Sequence, residues 1–116
     1  GGAIVNMSSL AAKLGGPAEA TDYALAKGAI DTLTIGLAKE LAGEGIRVNA
    51  VRPGLIDTDI QADFGIGDRV AKYKDFVPLK RGGTAEEVAD AVVWLCSDQA
   101  SYITGVLLDI AGGRGI

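Results

Sequence analysis

Tyr23 and Lys27 stand four residues apart in a stretch, 22–42, whose apolar spacing predicts a long helix. Residues four apart share one helix face. A tyrosine phenol is a poor base near neutral pH, with a reference pKa of about 10. An ammonium beside it favours the phenolate, and the positive end of the helix dipole acts in the same sense. A phenol so placed can pass a proton to or from an alcohol or carbonyl oxygen, help typically worth about 10² to 10⁴ in rate. Ser8 and Ser9 close a short apolar run, and either hydroxyl could hydrogen-bond the same oxygen. The pair alone is not specific, because a Tyr with a Lys one turn later also arises by composition on a solvated helix face.

Such chemistry requires elements that bring these groups to one place. Ala3 to Met7 reads as a buried strand. Leu10 to Thr21, with Gly15-Gly16-Pro17, reads as a loop holding a helical turn. The helix over 22–42 carries Leu25, Ala29, Ile30, Leu33, Leu37 and Leu41, with other apolar residues on its remaining faces. A helix apolar nearly all round is expected to be buried on more than one side. Gly28 and Gly36 each cost about 1 kcal/mol against alanine in a helix interior, and they are read as points where a neighbouring helix comes close. Gly43 and Gly45 supply the stop.

Ile46 to Val51 is a second strand, ended by Pro53-Gly54. Residues 57–83 are irregular, with a short helix expected over 68–76. Thr84-Ala85-Glu86-Glu87 is a capping box opening a helix to about Ser97. Gly105 to Ile110 is a third strand, and 111–116 form a glycine-rich tail. Apolar strands joined by long helical crossovers are parallel. The class is therefore α/β, with three parallel strands that look like half of a doubly wound domain. The first strand is expected to have a free edge, covered by a missing half or a second copy of the chain. In open parallel sheets ligands bind beyond the carboxyl ends of the strands. The helix runs back antiparallel to the strands, so it begins at that same end. Ser8 or Ser9, Tyr23, Lys27 and the loop after Pro53 must then converge.

Composition narrows the alternatives. The chain of 116 residues is one domain in size. With 48% hydrophobic and 22% charged residues, it has a globular balance. A formal charge of -4 argues against nucleic acid or an anionic membrane as partner. No apolar run approaches the roughly 20 residues that span a bilayer. The absence of histidine excludes a Ser-His-Asp hydrolase and any His-ligated metal. One cysteine, Cys96, excludes an internal disulfide and points to a reducing, cytoplasmic setting. No metal site is expected. The chain starts abruptly, without an initiator Met or a basic leader, and is read as a piece of something longer.

Ile4-Val5-Asn6-Met7-Ser8-Ser9, Tyr23-Ala24-Leu25-Ala26-Lys27-Gly28-Ala29, and Ile46 to Gly54 with Thr58 together resemble the short-chain dehydrogenase/reductases. Gly105 to Gly113 looks like that family's last strand, so the resemblance runs through the whole chain in order. It implies a partial Rossmann-like fold in which residues 1–116 form the C-terminal half. The activity implied is hydride exchange between NAD or NADP and a secondary alcohol or ketone. Tyr23 would be the general acid/base, Lys27 would tune it and hold the nicotinamide ribose, and Ser9 would orient the substrate oxygen. Tyr23, Lys27, Pro53, Gly54, Ile56 and Thr58 would meet the cofactor, although Pro53 and Gly54 also read as strand punctuation. A homo-oligomer, dimer or tetramer, through the 22–42 helix is also implied.

Departures from the family pattern bear on function. The Ser9–Tyr23 spacing is one residue longer than the family's usual one. The Thr-Gly-x-x-x-Gly-x-Gly loop that cradles the pyrophosphate does not occur in the chain, nor does the Asn-Asn-Ala-Gly segment. The alternative reading is thus a noncatalytic association module. Cys96 and Trp94 read as core residues. Asp57 and Asp59 read as solvated or capping groups rather than metal ligands. Arg69, Lys72, Lys74, Lys80 and Arg81, interleaved with Asp68 and Asp75, read as a solvated face. By resemblance, 59–80 is a substrate lid. Gly112-Gly113-Arg114-Gly115 opens no helix and reads as tail.

Overall fold

Three apolar segments pair side by side in a computed structural model, which describes residues 1–16, 20–58 and 69–116. Strand β1 (Gly2–Met7) pairs in parallel with β2 (Ile46–Pro53), Gly2 opposite Ile46 and Met7 opposite Val51. The other side of β2 pairs in parallel with β5 (Leu107–Ile110), Ala50 opposite Leu107. The sheet order is β1-β2-β5, as expected of an α/β chain whose crossovers are helical. The central strand holds the core: Val48, Ala50 and Val51 are buried. Among the described residues β1 pairs only with β2.

Alternation along β2 sends its side chains to opposite faces of the sheet. Arg52 reaches Asp31 on helix α2 (Thr21–Leu41), whereas Arg47 donates to the Leu95 carbonyl near the end of helix α4 (Ala85–Cys96). The two helices therefore cover opposite faces. One turn, α1 (Ala11–Leu14), precedes α2. Helix α2 passes into a 3-10 turn (Ala42–Glu44) and stops at Gly45, whose φ of 74° suits glycine.

The inner stripe of α2 differs from the expectation of burial on several sides. Its buried residues are Ala24, Asp31, Thr34 and Ala38, a helical spacing of small and polar groups. Asn6 Nδ2 on β1 donates to Thr34 Oγ1 at 3.0 Å, so a polar contact docks the helix on the sheet. Leu25, at 75% exposure, Leu33 and Ile35 face outward. Beyond the helix's own nearby backbone, no described atom comes within 4 Å of a Cβ built on Gly28 or Gly36, so the described residues do not make the close approach expected there.

Between β2 and α4 lie β3 (Ile56–Asp57), α3 (Arg69–Tyr73), a 3-10 turn (Lys74–Phe76) and β4 (Gly83–Thr84), which pairs in parallel with β3. The part of the expected lid over 59–68, with Asp59 and Asp68, lies outside the described residues. The capping box forms as read: Thr84 Oγ1 accepts the Glu87 N–H at 3.1 Å, and Glu87 Oε1 accepts the Thr84 N–H at 3.0 Å. Val88 and Leu95, two turns apart, point inward from α4. That register turns Trp94 and Cys96, on either side of Leu95, outward, and both are exposed rather than core.

The closing segment also departs from its reading as tail. The Leu79 N–H donates to the Gly112 carbonyl at 3.1 Å, and a Cβ on Gly113 would meet Pro78 at 2.9 Å. The glycines let the chain fold back against 77–79, with φ of 61° at Gly112 and 93° at Gly113.

Candidate active site

Backbone pairing continues past the carboxyl ends of β1 and β2 and builds a floor there. The Ser8 N–H donates to the Val51 carbonyl at 2.9 Å, and the Leu10 N–H to the Pro53 carbonyl at 3.0 Å. Above this floor opens a cleft of about 600 Å³, lined by Ser8, Ser9, Tyr23, Lys27, Pro53 and Gly54 among others. Convergence of the strand ends with the first turns of α2 is what the topology required.

The two serines take different roles. Ser8 is buried and its hydroxyl donates to the Lys27 carbonyl at 3.2 Å, tying β1 to α2. Ser9 Oγ accepts the Ala11 N–H at 3.1 Å as α1 begins. That bond uses an acceptor site and leaves the Ser9 O–H as a donor toward the cleft. Tyr23 is 48% exposed and its phenol oxygen makes no hydrogen bond among the described residues. Lys27 Nζ lies 5.7 Å from the centre of the Tyr23 ring and donates to the Met7 carbonyl at 3.2 Å. The strand end therefore holds the ammonium beside the ring, within cation–π range.

Of the expected cofactor segment, Pro53 and Gly54 border the cleft, while Ile56 and Thr58 are not among its lining. Ile56 sits opposite Gly83 in the small β3-β4 pair. Gly54 also has a packing reason: a Cβ there would stand 2.9 Å from Ala111 Cβ and 3.2 Å from Ala111 Cα.

Two lining residues were not expected from the sequence. Arg69, read as part of a solvated face, and Arg114, read as tail, both line the cleft. Their Cζ atoms lie 5.9 and 5.8 Å from the centre of the Tyr73 ring. Arg114 carried no signal in the sequence, because its position depends on the fold-back of the glycine segment. Arg69 was masked by the acids interleaved with the local bases.

The fold is α/β, with Ser9, Tyr23 and Lys27 gathered at the carboxyl rim of a parallel sheet. The chain belongs to the short-chain dehydrogenase/reductase family: residues 1–114 match the family model described as enoyl-(acyl carrier protein) reductase. It is 60% identical over 114 residues to the uncharacterized oxidoreductase YgfF of Escherichia coli, covering 98% of this chain and 46% of that one. It is 45% identical over 113 residues to the 3-oxoacyl-(acyl-carrier-protein) reductase FabG of Chlamydia muridarum, covering 97% and 44%. A 3-oxoacyl-(acyl-carrier protein) reductase of Brucella melitensis with bound NAD superposes with a TM-score of 0.84 at 40% identity, covering 98% of this chain and 41% of that one. The chain thus spans less than half the length of these relatives. Among the described residues no helix is long and apolar enough to cross a membrane.

Proposed function

We propose that this chain carries the proton-transfer apparatus of an NAD- or NADP-dependent oxidoreductase acting on a secondary alcohol or ketone. The observation that supports it is the Lys27 ammonium held 5.7 Å from the Tyr23 ring, in a cleft that Ser9 shares. Tyr23 gives its phenolic proton to the carbonyl oxygen in reduction and takes the alcohol proton in oxidation. Its phenol is exposed and makes no hydrogen bond to a described residue, so it can meet that oxygen. Ser9 donates its O–H to the same oxygen and fixes its direction. Lys27 places a positive charge beside the ring, and its bond to Met7 keeps it in place.

The nicotinamide end of the cofactor suits the donors present. An ammonium has three N–H bonds, and Met7 takes one, which leaves donors for ribose hydroxyls. Pro53 and Gly54 would border the carboxamide. When bound, the cofactor supplies or accepts the hydride. No residue here is assigned to the diphosphate or to the choice between NAD and NADP, since the chain has no glycine-rich phosphate loop. Ile56 and Thr58, in the segment that follows Pro53 and Gly54, are proposed as further cofactor contacts. The outward Leu25, Leu33 and Ile35 of α2 support association with a second copy, as a dimer or tetramer.

The test is Tyr23→Phe in the full-length protein, assayed with NADH and NADPH against a panel of ketones. Turnover is expected to fall by about 10² to 10⁴ with the fold intact. Unchanged turnover across the panel would remove the assignment and leave the noncatalytic module as the better reading.

A further inference from the structure

The formal charge of the chain is -4, yet the charged residues described in the lining of its cleft are all basic. Lys27, Arg69 and Arg114 line it, and no Asp or Glu does among the described residues. Lys27 is committed to Met7 and stands beside Tyr23. The two guanidiniums are not so committed: neither ion-pairs with a described carboxylate, although other bases of the chain do, as in Arg52 with Asp109 and Arg81 with Glu87. Both lie near the Tyr73 ring, at 5.9 and 5.8 Å from its centre. They come from separate segments of the sequence, one from α3 and one from the folded-back closing segment. Glycine geometry at 112 and 113 brings Arg114 there. A concave site lined by one sign of charge concentrates ligands of the opposite sign, and guanidinium forks suit carboxylate and phosphate oxygens.

We propose that Arg114, with Arg69, forms an anion-recognising subsite in the cleft, and that the preferred substrate is a ketone or alcohol bearing an acid group. The assignment rests on the proposed function for the reacting carbonyl. The charge lining itself is independent of it.

Equilibrium binding separates the two. Levulinate and its methyl ester present the same ketone with and without the charge. Calorimetric titration of the full-length protein is expected to show the acid binding roughly tenfold or more tightly than the ester, the scale of a hydrogen bond to a charged group. Arg114→Gln should bring that ratio near unity, and Arg69→Gln should lower it in the same direction. Lys39→Gln, which removes an equal charge from the outer part of α2, should leave the ratio as it was. Circular dichroism checks that each variant folds, and Arg69→Gln serves if Arg114→Gln does not. Equal binding of acid and ester, or a ratio that survives both arginine variants, overturns the proposal. Inorganic pyrophosphate probes the other source of the same charge, a cofactor diphosphate. Loss of pyrophosphate affinity with the acid-to-ester ratio kept assigns the arginines to the cofactor and also overturns it. Because binding is read without turnover, a Tyr23→Phe enzyme that stays active would sink the proton-transfer reading while leaving this one standing.

Discussion

Lys27 Nζ is fixed by the Met7 carbonyl at 3.2 Å and lies 5.7 Å from the centre of the Tyr23 ring. A strand end thus positions a charge on the helix that follows it. The ammonium has two tasks in the proposed chemistry: it sets a positive charge beside the phenol that passes the proton, and it offers donors to the cofactor ribose. Lys27→Met removes both, and turnover is expected to fall by about 10² or more while the cofactor KM rises. Lys27→Arg keeps the charge and should recover part of the turnover. Steady-state kinetics of the two variants with one ketone decides the matter. A Met variant with wild-type turnover would show that the ammonium is only a structural tie.

Gly54 and Gly36 should respond oppositely to alanine. At Gly54 the added Cβ would stand 2.9 Å from Ala111 Cβ, on backbone already fixed by the Gly54 N–H donating to Ile110 at 3.0 Å. Overpacking of that sort typically costs about 1–3 kcal/mol. At Gly36 the Cβ meets no described atom within 4 Å beyond its own helix backbone, and helix propensity alone predicts a gain of about 1 kcal/mol. Urea unfolding measures both. If a second copy packs on α2, Gly36→Ala should also weaken its association in sedimentation.

The legible parts of the fold were those with a local cause. Thr84 and Glu87 spell a capping box by their own spacing, and the bonds form. The parallel strands followed from apolar runs with helical crossovers, and that topology sufficed to bring Ser9, Tyr23 and Lys27 to one cleft. The illegible parts depended on tertiary choices. Composition could not say that Asp31 and Thr34 of α2 would face the sheet while Leu25 faced out. Cys96 and Trp94 are exposed because Leu95 takes the inward register. Arg114 enters the cleft through a chain reversal over consecutive glycines, which permit many paths and announce none.

Arg52 should be the most costly charged residue to remove. Its Nε donates to Asp109 Oδ1 at 2.6 Å, and another guanidinium nitrogen lies 3.6 Å from Asp31 Oδ2. Asp31 is only 8% exposed and its Oδ1 has no described partner. Asp109 has a second cation, Lys13 at 3.1 Å, but among the described residues Asp31 has no cation besides Arg52. Arg52→Met would strand that carboxylate between helix and sheet, and breaking such a pair costs about 3–5 kcal/mol. Adding Asp31→Leu removes the orphaned charge and should recover much of the loss. A double-mutant cycle on urea stabilities measures the coupling. Additive effects would show that Asp31 does not depend on Arg52.

Acid should weaken the start of α4 through Glu87. The Arg81 guanidinium grips its carboxylate at 2.8 and 3.0 Å, and the Thr84 N–H adds a further bond. The Arg81 hydrogen bond is the leading cause, followed by Thr84, and together they hold the Glu87 pKa near about 2 rather than its ordinary 4.5. Unfolding returns the group to its ordinary value, so the unfolded chain takes up the proton first as pH falls. The stabilisation is therefore fully present above pH 4.5 and is lost as pH falls toward about 2. Both side chains are exposed, so high salt should shrink the effect. Urea midpoints followed through that window should slope less for Glu87→Gln than for the wild type, and Arg81→Gln should flatten the slope in part, since the Thr84 bond remains. Identical slopes for all three proteins would mean that protonation of the capping box does not contribute to acid sensitivity.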